Sequence, residues 1–169
     1  ATARFREGGA PATPRRLDVA RPLVEAIVSA PPYLRGLLAH DSEFAAACLE
    51  TSPEEVLATI CAETEKSAYA GDIAETAKLL RQCKAKAALL LALADIGRAW
   101  PLETVTQALT RFADAAVSAA VNALLLEAHA GGKLVLNDPA RPSIDCGYTV
   151  IAMGKHGAGE LNYSSDIDL

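Results

Sequence analysis

At 169 residues, 51% hydrophobic and 22% charged, the chain has the composition of a globular protein that builds its own core, which excludes the disordered and disulfide-stapled classes. A formal net charge of -5 argues against a broad phosphate-tracking surface for nucleic acid and leaves room only for a local basic pocket. The longest apolar run, Ala87 to Ala94, falls far short of the roughly 18 residues of a membrane span, so no membrane is expected.

Residues 1–16 carry Gly8, Gly9, Pro11 and Pro14 without a hydrophobic period or a signal peptide, and are expected to form a flexible N-terminal arm. From Leu17 the pattern turns helical, with Leu17, Ala20, Val24, Ile27 and Val28 on one face, until Pro31-Pro32 stops it. Tyr33, Leu34, Leu37 and Leu38 begin a short second helix, and Asp41 or Ser42 caps a third that runs through Glu50. Ser52-Pro53-Glu54-Glu55 combines a capping hydroxyl, proline at the first helical position and glutamate three residues after the cap. Val56, Leu57 and Ile60 supply the buried stripe of that helix. Asp72-Ile73-Ala74-Glu75 opens a long helix with Ile73, Ala77, Leu80, Ala87, Leu91 and Ala94 at helical spacing, closed by Gly97 and Pro101. Leu102, Val105, Leu109, Phe112, Ala116, Ala119, Ala123 and Leu126 carry the same period through a last helix that Gly131-Gly132 ends.

Beyond residue 132 the period becomes that of strands: Lys133 to Asn137, a proline-bearing loop from Asp138 to Pro142, then Tyr148 to Met153. The expected organisation is therefore a helical region over 17–132 and the start of an α/β unit over 133–169. Within that unit, Gly147 to Leu169 reads as strand, glycine turn, short helix and second strand. Successive side chains on a strand point to opposite faces, so Asp166 and Asp168 are expected to project together, away from Ile167 and Leu169. Two hard oxygen ligands side by side suit Mg²⁺.

Transfer of a nucleotidyl group requires a held phosphate, aligned attacking and leaving oxygens, and neutralisation of shifting charge; metal ions on paired carboxylates meet those needs. Asp166 and Asp168 are the expected catalytic carboxylates and metal ligands. Gly154, Gly157 and Gly159 let a backbone turn approach phosphate, amides at the start of the short helix donate to it, and Lys155 adds a point charge. Ser164 and Ser165 offer hydroxyl donors, with no base at a spacing that would make either a nucleophile.

Other residues have simpler expected roles. Cys48, Cys61, Cys83 and Cys146 form no Cys-x-x-Cys pair and have no histidine at zinc-finger spacing, so they read as reduced, buried small hydrophobes of a cytoplasmic protein. His156 reads as a turn histidine facing water, and His40 and His129 as helix-end residues meeting a favourable dipole. Arg81, Lys84 and Lys86 read as a solvated basic face, Trp100 as a packing anchor at a helix junction, and Glu160 as a residue that orients the turn.

The seventeen-residue string Met153-Gly154-Lys155-His156-Gly157-Ala158-Gly159-Glu160-Leu161-Asn162-Tyr163-Ser164-Ser165-Asp166-Ile167-Asp168-Leu169 closely resembles the signature of the bifunctional glutamine synthetase adenylyltransferase/deadenylase family. A weaker resemblance continues upstream through Pro32-Tyr33-Leu34, Leu79-Leu80-Arg81 and Phe112-Ala113-Asp114. It implies an α+β fold class: a mainly helical N-terminal region leading into the first strands of a polymerase-beta-like nucleotidyltransferase core, in which a glycine turn precedes an Asp-x-Asp metal site. Members carry two such units in tandem, and the helical lead-in places this motif like the first, adenylyl-removing unit. The implied reaction is phosphorolysis, in which phosphate attacks the adenylyl-tyrosine linkage and releases ADP. Implied partners are glutamine synthetase, a PII-type signalling protein, ATP or ADP with phosphate, and glutamine as effector.

Two departures accompany the resemblance. Related signatures place an apolar residue at the position of His156 and a basic one at that of Gly159. The superfamily also uses a third carboxylate on a later strand, which no residue up to Leu169 supplies, so the chain is expected to be a truncated part of a longer protein and inactive by itself. Two further readings remain open: a helical docking or regulatory module with a degenerate nucleotide-binding motif, and the adenylylating unit of the same family. A related enzyme acting on RNA or a small molecule is disfavoured by the long signature and the acidic balance.

Overall fold

The computed structural model describes residues 25–26 and 32–169. The expected arm over 1–16 and the helix face from Leu17 to Val28 lie outside these residues, apart from Glu25 and Ala26. Five helices of appreciable length follow in chain order: α1 (Pro32–His40), α2 (Ser42–Glu50), α3 (Pro53–Lys66), α4 (Ile73–Ile96) and α5 (Leu102–Ala130). A 3₁₀ turn over Ser67–Tyr69 links α3 to α4, and a single-turn helix α6 spans Gly154–Gly157.

The starts of the helices follow from their capping residues. Asp41 accepts the Phe44 amide at 3.0 Å, Ser52 the Glu55 amide at 3.3 Å and Asp72 the Glu75 amide at 2.7 Å, each satisfying a donor that the first helical turn leaves without a partner. The ends of α4 and α5 follow from left-handed closures. After α5, the Lys133 amide reaches Ala128 O (2.9 Å) and the Gly132 amide reaches His129 O (3.0 Å), with Gly132 at φ 69°. After α4 the same pair of bonds forms from Ala99 to Ala94 O and from Arg98 to Asp95 O, but the left-handed residue is Arg98, at φ 54°.

Helices α3, α4 and α5 pack against one another around Leu57, Ile60, Leu90, Leu91 and Val105, each at most 4% exposed. Leu89 through Ala94 are all buried, so the second half of α4 is wrapped on several sides and its amphipathic period disappears. On α5 the buried positions are Val105, Ala108, Ala113, Ala115, Ala119 and Ala123, mostly alanines that let neighbouring backbones come close. Leu102, expected on the buried stripe, is 68% exposed at the helix start. By length and composition alone α5 could cross a membrane, and 22% of its most apolar stretch is buried, with one face packed on α3 and α4. Trp100 anchors the α4–α5 junction, 6% exposed, with its indole N–H donating to the Glu54 carboxylate at the start of α3. Cys48, Cys61 and Cys83 are free and buried among these helices, and burial, with Asp41 nearby, pushes the Cys48 thiol up to about 11.

After α5 the expected strands do not form: among the described residues there is no strand, and the sole β pairing is an antiparallel bridge between Met153 and Asp168. The helical half of the expected α+β class is therefore present without its sheet. A strand is stable only when its amides and carbonyls meet a neighbouring strand. Here Lys133–Asn137 finds a helix end instead: the Leu136 amide donates to His129 Nδ1 at 3.3 Å, burying Leu136 and leaving Val135 87% exposed. Tyr148, Ile151, Met153, Ile167 and Leu169 are likewise exposed.

Candidate active site

The turn that joins residue 153 to residue 168 is built by close contacts. The Met153 amide donates to Asp168 O at 2.8 Å, Met153 O accepts the Gly157 amide at 2.8 Å, and Lys155 O accepts the Glu160 amide at 2.8 Å. Gly154 sits at φ 53°, and a Cβ there would lie 2.5 Å from Asp168 Oδ2; only glycine allows both the backbone conformation and the seat for that carboxylate. A Cβ at Gly157 would meet Ala152 O at 2.4 Å, so this glycine serves backbone packing. Gly154 thus brings the turn and Asp168 together, whereas Gly157 presses on the chain that precedes the turn.

Lys155, Asp166 and Asp168 are exposed, and their side chains have no hydrogen bond or ion pair among the described residues. Asp166 and Asp168 offer hard carboxylate oxygens, and the missing Cβ of Gly154 leaves the space that the Asp168 carboxylate occupies, an arrangement compatible with Mg²⁺. Among the described residues no group of three or more His, Cys, Asp or Glu side chains is placed to hold a metal.

The two serines are engaged locally. Asn162 Oδ1 accepts the Ser164 amide (3.0 Å), the Ser164 hydroxyl (3.1 Å) and the Ser165 hydroxyl (3.0 Å), while Ser165 Oγ accepts the Asn162 amide at 3.1 Å. Asn162 was not singled out from sequence, although Asn-x-Ser is a signal for a side-chain-closed turn. Tyr163 donates its hydroxyl to Asp95 Oδ2 at 3.2 Å, and burial together with the Asp95 charge pushes that hydroxyl above its ordinary range.

His156 is 4% exposed rather than water-facing, and its Nε2 lies 2.8 Å from Asp114 Oδ1 on α5. Two further basic residues also approach the motif. Arg81 and Lys84, expected on a solvated face, are exposed but line a cavity of about 320 Å³ with Phe112, Asn162, Ser165 and Ile167. Neither has an ion-pair partner among the described residues. Asp166 and Asp168 do not line that cavity. Lys86 belongs elsewhere: it pairs with Glu63 at 2.9 Å and lies 5.7 Å from the centroid of the Phe44 ring. His129 is tied to the segment after α5, as described above.

Residues 20–169 match the family model described as Glutamate-ammonia ligase adenylyltransferase. A bifunctional glutamine synthetase adenylyltransferase/adenylyl-removing enzyme of Bradyrhizobium sp. (strain ORS 278) is 47% identical over 151 residues, which is 89% of this chain and 15% of that protein. Proteins of the same description from Xanthobacter autotrophicus and Brucella suis are 44% and 40% identical, over 91% and 86% of this chain and 16% and 15% of theirs. The chain thus spans about 15% of the length of these relatives. No solved structure matches.

Proposed function

The chain belongs to the glutamate-ammonia ligase adenylyltransferase family, and from that premise we propose that it contributes to the adenylyl-removing unit of a longer regulator of glutamine synthetase. In this reading residues 133–169 open the nucleotidyltransferase core after a helical region ending near residue 132. The observation that carries the reading is the seating of the Asp168 carboxylate against Gly154, with Lys155 exposed beside it. That arrangement sets the Asp168 carboxylate next to a cationic turn, which suits a site handling both a metal and a phosphate.

Asp166 and Asp168 would hold Mg²⁺, which when bound supplies charge neutralisation at the reacting phosphate. The Lys155 ammonium binds the attacking inorganic phosphate and offsets its charge. The first amides of α6 have no partner within the helix and would be free to donate to the same anion, with Gly154 and Gly157 keeping the turn compact. Ser164 and Ser165, held by Asn162, shape the approach to the carboxylates. In the reaction an oxygen of inorganic phosphate forms a bond to the adenylyl phosphorus, the bond to the tyrosine oxygen of glutamine synthetase breaks, ADP leaves and the tyrosine oxygen takes up a proton. A PII-type protein and glutamine would regulate that exchange, in the cytoplasm. The placement of the motif after a long helical lead-in favours removal over attachment of the adenylyl group.

The test uses the longer protein that contains this chain, as wild type and as Asp166→Asn, with adenylylated glutamine synthetase, Mg²⁺, phosphate and the uridylylated PII-type protein. Loss of ADP release in the variant, with ATP-dependent adenylylation retained, is the expected result. Unchanged ADP release would remove Asp166 from the chemistry and favour a docking module with a degenerate motif. Loss of adenylylation alone would assign the motif to the attaching unit.

A further inference from the structure

We propose that Asp114, on α5 and 42 residues before the motif, is a positioning residue for the Gly154-Lys155 turn and acts through His156; the consequence for activity rests on the function proposed above. An ionised carboxylate can only accept hydrogen bonds, so His156 Nε2 carries the hydrogen and donates it to Asp114 Oδ1 at 2.8 Å. The other ring nitrogen, Nδ1, is buried without a partner among the described residues. The imidazole therefore has one polar anchor, and that anchor belongs to a helix outside the motif.

The consequence of losing it follows from the burial of the ring. The His156 side chain is 2% exposed, and without Asp114 its Nε2–H is left near the protein interior with no acceptor among the described residues. An unsatisfied buried donor drives the ring to seek water, and His156 sits in the middle of a one-turn helix whose backbone bonds, from Gly157 to Met153 O and from Ala158 to Gly154 O, tie its neighbours to it. Movement of His156 carries Lys155 on one side and Gly157, wedged on Ala152 O, on the other. Gly154, which seats Asp168, belongs to the same turn. The pair thus transmits the position of α5 to the cationic group and to the carboxylate at once.

Asp114 is also a clean point of attack. Its side chain is 63% exposed, so shortening it opens no core cavity, although Ala113 and Ala115 on either side are buried. Asparagine keeps an oxygen that can accept the Nε2–H but removes the charge, whereas alanine removes both.

The experiment compares wild type, Asp114→Ala and Asp114→Asn in the longer protein, reading KM for phosphate in ADP release and amide hydrogen exchange over residues 153–159. For Asp114→Ala the expected outcome is faster exchange in that segment and a KM raised about tenfold, in the range that small misplacements near a reacting centre produce. Asp114→Asn is expected to stay close to wild type in both. The positioning role is overturned if Asp114→Ala leaves both readings unchanged, if exchange quickens without any effect on KM or kcat, or if Asp114→Asn is as defective as alanine. Absence of ADP release from wild type would defeat the proposed reaction, and the exchange comparison would still decide whether Asp114 holds the turn.

Discussion

Replacing Gly154 with alanine separates the structural from the functional role of the turn. The added methyl would lie 2.5 Å from Asp168 Oδ2 and 3.5 Å from its Cγ. Atoms do not pack that closely, so the carboxylate must retreat by at least about 0.5 Å, and misplacement on the scale of an ångström costs up to about 100-fold in rate. The obstructing atom is the end of a flexible side chain at an exposed site, so the retreat itself is energetically small. The stability cost comes instead from holding alanine at φ 53°, about 1–2 kcal/mol. For a chain of this size that corresponds to a fall in Tm of about 2–8 °C. Gly157→Ala provides the contrast, because its methyl would meet backbone, Ala152 O at 2.4 Å, and the strain cannot be relieved by a side-chain rotation. Its expected cost is about 1–3 kcal/mol, the range of overpacking. The assay pairs thermal unfolding with ADP release in the longer protein. For Gly154→Ala, a loss of activity well beyond what its modest destabilisation explains is expected. Activity within about threefold of wild type, at a temperature where the variant is folded, would refute the idea that the seat of Asp168 against Gly154 belongs to the working site.

Arg98→Gly is expected to stabilise the chain by about 0.5 kcal/mol, because the residue closing α4 is held at φ 54° and glycine adopts that conformation without a Cβ penalty, less the added freedom of the unfolded chain. Denaturant unfolding measures it, and a destabilisation of similar size would mean that the arginine side chain does more than its exposed position indicates. Glu54 supplies a pH test. Its carboxyl is held below the ordinary carboxylate range, first by the Trp100 N–H and then by backbone hydrogen bonding at the helix start. A depressed folded value means that this contribution to stability is fully present above the unfolded pKa and lost as pH falls through the folded one. Glu54→Gln should therefore flatten that part of the acid limb in unfolding curves taken between about pH 7 and pH 3. An unaltered limb would show that the Trp100 contact does not depend on the charge.

Much of the helical architecture is legible from short-range signals. Asp41, Ser52 and Asp72 start their helices because a side-chain oxygen three residues before an amide reaches it whatever the rest of the fold does. Gly131-Gly132 ends α5 by an equally local closure. Where burial is one-sided the apolar period holds, as at Leu57 and Ile60; where α4 is wrapped by several neighbours, from Leu89 to Ala94, periodicity stops reporting which face is inside. The strands over 133–137 and 148–153 are the clearest difference. Alternation shows that a segment is suited to a sheet, but a sheet also needs a partner strand, and Met153 with Asp168 is the single pairing among the described residues.

The candidate site divides along the same line. Its composition, a glycine turn followed by Asp166 and Asp168, stands in the order of residues, as does the left-handed demand at Gly154. The tethers do not: Asp114 meets His156 across 42 residues and Asp95 meets Tyr163 across 68, and neither pair leaves a local trace. By itself the sequence determined which residues can cap, turn, hold a metal or carry charge, because those properties belong to single side chains and to contacts a few residues apart. Only the tertiary structure decided that His156 is buried on α5, that Arg81 and Lys84 face the motif loop, and that the expected strands go unpaired. Those outcomes depend on which distant groups compete for the same donor, acceptor or apolar surface, and that competition is resolved only when the helices pack.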